Sequence, residues 1–269
     1  MRTLTYGWQA ADGLHELRLA YVPGTGETPY MFGVDPNRRP VEVPSFHIAT
    51  TPVTQALWVR VMGSNPAARR AARCPVENVS WDRITGKRGF LERINSSEIL
   101  AALAGPERTL RFRLPSETEW EYAARGGPHW TDGFVFSGSH DIDAVAWYGR
   151  RWSRPRILGW RRFGRRRFGK LFPTRTHDVA TKAPNQLGIY DMSGNVWEWC
   201  QDGCVDDIDA VPRDGSPWLG ASPDRRLRGG CHHNWEIHCT VSFRYGIAQD
   251  AHDGCIGFRL VLAPTYPAV

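Results

Sequence analysis

The chain has 269 residues, 41% of them hydrophobic, with 27 Gly, 19 Pro and 12 Trp. That balance excludes a helical bundle and a disordered chain, and it points to a single large, turn-rich domain over residues 1–269. The formal charge of +6 is local: the stretch 150–175 carries eleven basic residues and no acid, so the basicity belongs to one segment.

Residues 1–45 read as short strands and turns, as in Leu17-Arg-Leu-Ala-Tyr-Val22 ahead of Pro23-Gly24. Thr54 as N-cap and Gly63 as stop predict a short helix that packs Leu57, Trp58 and Val61 inward. A second helix is predicted after Ser80, carrying Trp81, Ile84, Phe90, Leu91 and Ile94 at loosely helical spacing, with Gly86 and Gly89 weakening it. Ser116 and Glu119 have capping-box spacing for a helix that runs to about Arg125 and ends at Gly126-Gly127. Glu117, Glu119 and Glu121 suit acid–base chemistry by type, but acids in a first turn also favour the helix dipole, and the structural reading is preferred.

No apolar run opens the chain, and no stretch approaches the roughly 20 apolar residues of a membrane span. The expectation is a cytoplasmic protein with no membrane partner. Six cysteines without a CxxC pair are too few for a disulfide scaffold of this size. Free thiols are expected, with one bridge or a catalytic thiol left open.

The basic insertion, at about residues 149–175, interleaves its arginines with Trp152, Trp160, Phe163, Phe168 and Phe172. Guanidinium groups among aromatic rings are the chemistry of phosphate contact and base stacking. This makes Arg161, Arg162, Arg165, Arg166 and Arg167 candidate contacts to nucleic acid. The same composition also serves docking on an acidic partner protein.

Asp191-Met-Ser-Gly-Asn-Val-Trp-Glu-Trp-Cys200 crowds two carboxylates, an amide and two tryptophans into ten residues that cannot form an amphipathic element. Gly194-Asn195 is a turn pair, and Asp191 and Glu198 can aim oxygens inward on either side of it, as a hard cation such as calcium requires. The competing reading puts Trp197 and Trp199 in the core and pairs Glu198 with an arginine.

Four segments carry a family resemblance: Leu114-Pro-Ser-Glu-Thr-Glu-Trp-Glu-Tyr-Ala-Ala-Arg125, Ala183-Pro-Asn-Gln-Leu-Gly-Ile-Tyr-Asp-Met-Ser-Gly-Asn-Val-Trp-Glu-Trp199, Leu227-Arg-Gly-Gly230 and Gly257-Phe-Arg-Leu260. Together, over about Val43 to Leu262, they resemble the formylglycine-generating-enzyme (sulfatase-modifying factor) domain family. The resemblance implies an α+β, C-type-lectin-like fold low in regular secondary structure. It also implies one structural calcium, held by the side chains of Asp191 and Glu198 and the backbone carbonyls of Gly194 and Val196. At the family's second calcium site Val145 stands where an asparagine is used, so that site is not expected.

Catalytic members of the family oxidise a substrate cysteine with copper held by two thiolates, separated by four residues, after the Arg-Gly-Gly element. Here Arg228-Gly-Gly230 is followed by Cys231-His-His-Asn-Trp-Glu-Ile-His-Cys239, with Asn234 in the place of the first thiol. Copper is therefore not expected, and the reading leans away from an enzyme. The alternative is a metal- and oxygen-dependent oxidase acting on a peptide or thiol, with Cys231, Cys239 and the histidines as ligands. Strand alternation would put Cys231 and His233 on one face and His232 on the other.

The C-terminal stretch also resembles the variable proteins of diversity-generating retroelements, which display randomised residues on the same fold. Arg228-Gly-Gly230, Cys239, Phe243-Arg244, Asp250 and Ile256 to Leu260 match a fixed frame. The filling supplies the candidate surface for a protein or small-molecule ligand: His232, His233, Asn234, Trp235, Glu236, His238, Tyr245, Ile247, Gln249, His252, Asp253 and Cys255. Tryptophan, tyrosine and histidine on loops add contact area at modest entropic cost, which suits recognition more than turnover.

Overall fold

The computed structural model describes residues 3–105, 109–149 and 175–266. β1 (Leu4–Ala10) and β2 (Gly13–Val22) form a hairpin in which Leu4 faces Leu19 and Ala10 faces Gly13. With β5 (Phe46–Ala49), β6 (Leu110–Arg113) and β11 (Val261–Pro264) they make an antiparallel sheet of order β1-β2-β5-β11-β6. The strands β3 (Tyr30–Phe32) and β4 (Arg39–Val41) pair separately. A second sheet of order β10-β7-β8-β9 contains β7 (Trp197–Gly203), β8 (Asp224–Arg228), β9 (Arg244–Ala248) and β10 (Ile256–Phe258), with β10 parallel to β7.

The helices are short and each end has a local cause. α1 (Gln55–Met62) starts where the Thr54 hydroxyl accepts from Leu57 N, and it stops at Gly63 with φ 75°, as the sequence predicts. The predicted second helix is in fact two, α2 (Trp81–Thr85) and α3 (Phe90–Asn95). Between them a side chain at Gly89 would put its Cβ 2.6 Å from the Gly86 carbonyl oxygen, so the chain turns instead of continuing. A further helix, α4 (Glu98–Ala104), was not anticipated. α5 (Glu117–Ala124) has both halves of the Ser116–Glu119 capping box, and all eight of its residues are buried. α6 (Ile142–Val145) is a single turn, and among the described residues no helix is long and apolar enough to cross a membrane.

The main core lies between α1, α3 and the two sheets. Trp58 stacks on Phe90 at 5.2 Å, and Phe258 meets both rings edge-on. In the stretch read as unable to form an amphipathic element, Trp197 to Cys200 belong to β7 and are buried on both faces. A strand covered on both sides has no polar alternation to reveal it. Val145 packs in an apolar cluster with Phe136, Ile142 and Cys239.

Candidate functional site

The three glutamates of α5 are each matched by arginines from elsewhere in the chain. Arg244 of β9 grips Glu117 with two nitrogens at 2.8 and 2.7 Å, and Arg113 of β6 holds Glu119 at 2.7 Å through both of its terminal nitrogens. Glu121 takes Arg228 of β8, Arg125 at 3.1 Å and the Tyr30 hydroxyl at 2.7 Å. Burial alone would raise the Glu117 carboxyl, but Arg244, with Arg228 and Arg226 beside it, holds it below the usual range. Breaking one partner of such a buried pair costs about 3–5 kcal/mol. These acids therefore clamp α5 to β8 and β9 of the second sheet and to β6 of the first, which is the structural role preferred for them.

The turn at residues 191–195 runs through left-handed backbone at Asp191, φ 57°, and Asn195, φ 66°. Glu198 has the arginine of the competing reading: Arg259 donates to it at 2.9 and 2.8 Å, and Trp120 Nε1 donates at 2.7 Å. Asp191 accepts from Ala180 N at 2.8 Å and Asn195 Nδ2 at 3.4 Å. Burial, with the Glu198 charge adding to it, pushes Asp191 up to about 6. Of the roughly four lone-pair sites on a carboxylate, these contacts use three on Glu198 and two on Asp191. The pair thus keeps oxygen capacity for a hard cation, with Arg259 competing for Glu198.

Beyond Arg228 the chain leaves β8 and crosses the end of the second sheet. Asn195 O accepts from His232 N at 3.0 Å, and Cys255 O accepts from Trp197 N at 2.8 Å. The turn thereby pins both the start and the end of the C-terminal filling. Within that filling Trp235 is 55% exposed, Ile237 56% and Tyr245 45%. Ring contacts join two of them, running from Trp235 to His238 at 6.4 Å, His238 to Phe243 at 4.8 Å, Phe243 to Trp197 at 6.0 Å and Trp197 to Tyr245 at 5.4 Å. His233, Glu236, His252 and Asp253 are exposed, and Asn234, His238, Ile247 and Gln249 are half-buried.

Two members of the predicted surface are corrected. His232 and Cys255 are only 7% and 6% exposed and are not displayed. Sequence reasoning missed Ile237, whose signal was an apolar side chain between Glu236 and His238 in a stretch without any period. It also missed Trp197 and Phe243 as the links of the ring track. At the edge of this surface Gly149 N donates to Asn234 O at 2.7 Å. Arg161, Arg162, Arg165, Arg166 and Arg167 lie outside the described residues.

The oxidase ligand set is also corrected. All six cysteines are free. Cys239 packs with Phe136, Ile142, Val145 and Ala146, and burial pushes its thiol up to about 12. Cys231 instead belongs to the main core cluster, and Asn234 points its side-chain oxygen at it, 2.9 Å from Sγ. Among the described residues, no group of three metal-ligating side chains contains both Cys231 and Cys239.

Two sheets, short helices and C-terminal loops carried on a buried arginine–glutamate frame define an α+β protein of the C-type-lectin-like, formylglycine-generating-enzyme type. The chain belongs to the sulfatase-modifying factor enzyme 1-like domain family, whose model matches residues 22–264. It is 35% identical over 183 residues to the chaperone protein LppX of Paenibacillus barcinonensis, covering 60% of this chain and 63% of that one. It is 30% identical over 215 residues to the formylglycine-generating enzyme of Streptomyces coelicolor, covering 75% and 59%. The chain thus spans about three fifths of the length of these two relatives. Among solved structures it is similar to Treponema denticola variable protein 1, with a TM-score of 0.70 and 24% identity over 97% of this chain and 99% of that one.

Proposed function

We propose that this chain is a binding protein whose C-terminal filling forms the recognition surface for a protein or small-molecule ligand. The observation that carries the reading is the clustering of Trp235, Ile237 and Tyr245. These are three of the eight large exposed hydrophobic side chains among the described residues, and they fall within eleven positions. Large apolar side chains grouped on a surface, backed by a track of rings, are what interface hot spots are built from.

The division of labour fits a displayed surface on a fixed frame. Arg228, Cys239, Phe258, Arg259 and Leu260 of the frame are fully buried, whereas most of the filling is exposed or half-buried. A frame held by buried charge pairs tolerates changes in the loops it carries, as a variable protein of the diversity-generating-retroelement kind needs. Asp191 and Glu198, with the carbonyls of Gly194 and Val196, form the proposed calcium site, and its role is to stabilise the turn beneath the surface.

Panning a random-peptide library on the immobilised chain tests the reading. Enriched peptides should bind the native chain and lose roughly 30-fold or more in affinity against Trp235→Ala or Tyr245→Ala, the scale of a hot-spot truncation. Peptides that bind all three proteins equally, or no enrichment, would place recognition elsewhere. Sequencing the 3′ end of the gene across a natural population separates a diversified surface from a dedicated one. Substitutions confined to codons 232–238, 245–249 and 251–255 support diversification, and an invariant stretch rejects it.

A further inference from the structure

Cys255, which fails as a display position, meets Cys231 and the exposed His233 at another place. The Sγ atoms of Cys231 and Cys255 and a ring nitrogen of His233 all lie within 4.8 Å of one another, and Cys231 Sγ is 3.5 Å from His233 Nδ1. This is the one such group of three among the described residues. Its members come from segments 24 positions apart in sequence. The bonds from His232 N to Asn195 O and from Trp197 N to Cys255 O fix both segments to the same turn. The convergence is therefore built by the frame and does not depend on loop chance.

A cavity of about 440 Å³ opens beside the group, lined by Glu77, Arg69, His232, His233 and Asp253 among others. Two of its lining side chains are buried with polar atoms left unpartnered, although Glu77 Oε1 accepts from Ala68 N at 2.7 Å. Glu77, 2% exposed, has an unsatisfied Oε2, and His232, 7% exposed, has both ring nitrogens unsatisfied. Unpaired polar atoms that deep cost stability unless something fills the space. An apolar packing role explains two buried thiols, but it leaves the unpartnered Glu77 Oε2 and His232 ring nitrogens of the cavity wall without a reason.

We propose that Cys231, His233 and Cys255 bind a thiophilic metal ion, zinc(II) or copper(I), with the remaining coordination position facing this cavity. Two thiolates and an imidazole are a ligand set both ions accept. With metal–sulfur and metal–nitrogen bonds of about 2.3 and 2.0 Å, drawing the most separated pair together by about 1 Å completes the shell. The site is separate from the Asp191–Glu198 pair, whose oxygens suit a hard cation. It also does not depend on the recognition reading, although a bound ion would staple the base of the displayed loop to the entry of β10.

The test uses the full chain, reduced and handled without oxygen. Cobalt(II) serves as the optical probe for zinc. The expected result is one equivalent bound with thiolate-to-cobalt charge-transfer absorption, bleached by zinc(II); in a parallel arm, one equivalent of copper(I) is retained against a coloured chelator. Uptake in either arm supports the site and tells which ion it prefers. His233→Ala changes an exposed side chain and should keep the native unfolding midpoint while weakening binding by more than about 100-fold, beyond the loss of an outer partner. Cys255→Ser should remove the charge-transfer band. No stoichiometric uptake of either ion, or uptake undiminished in both variants, overturns the proposal.

Discussion

Asp202 sits where α5 begins, and its carboxylate accepts the backbone N–H of Glu117 at 2.7 Å and of Trp218 at 2.9 Å. Burial, with the Glu117 charge adding to it, pushes Asp202 up to about 7 from an ordinary 3.8. In the window between those values the folded chain holds a proton that the unfolded chain has released. Asp202 therefore contributes stability that is complete below about pH 4 and is lost as pH rises through about 7. Asp202→Asn cannot ionise but keeps only one acceptor oxygen. By urea unfolding the variant should be less stable than the native chain at pH 4, and the gap should narrow or reverse by pH 8. Parallel curves would show that Asp202 is ionised throughout. At this scale the sequence shows the types but not the partners. Glu117, Glu119 and Glu121 are readable as first-turn acids, whereas the match of Glu117 with Arg244, 127 positions away, exists only once the second sheet has formed.

The elements divide by whether their signals are local. α1 and α5 were legible because the cap residues Thr54 and Ser116 act within one turn of themselves. β7 was not, because a strand buried on both faces carries no alternation, and α4 lacked a distinct period in seven residues. The break between α2 and α3 was half-legible, since Gly86 and Gly89 weakened the expected helix without locating its interruption. Gly89 has an ordinary backbone conformation, so its requirement is space alone. A Cβ there meets Gly86 O at 2.6 Å and the carbonyl oxygens of Arg83 and Ile84 at 2.9 Å. Gly89→Ala should cost about 1–3 kcal/mol, the range for forced overpacking, read as a lower urea midpoint at unchanged slope. A neutral result would mean the two helices shift apart without loss.

Across the whole molecule, the turn at residues 191–198 joins parts that are distant in sequence. Gly194 N donates to Gly229 O at 2.8 Å, while Arg259, held by Glu198, donates to Ala49 O at 2.7 Å and Tyr190 O at 2.8 Å. The first sheet, the second sheet and both ends of the recognition loops thus converge on one buried polar knot. Family resemblance pointed to this knot, but its energetics were not legible, because whether Glu198 serves a cation or Arg259 depends on residue 259 folding back onto it. The geometry gives it Arg259 and leaves Asp191 the less compensated acid. Calcium at the knot would bind the folded chain alone and stabilise every segment tied there. At about 100 times its dissociation constant it adds about 2.7 kcal/mol, which for a chain of this size raises Tm by about 5–10 °C. A scan after EGTA treatment and again with calcium restored should show that difference, and Asp191→Ala should abolish it while magnesium fails to replace calcium. Equal midpoints with and without calcium would mean that Arg259 alone neutralises the knot and that the chain folds without a cation there.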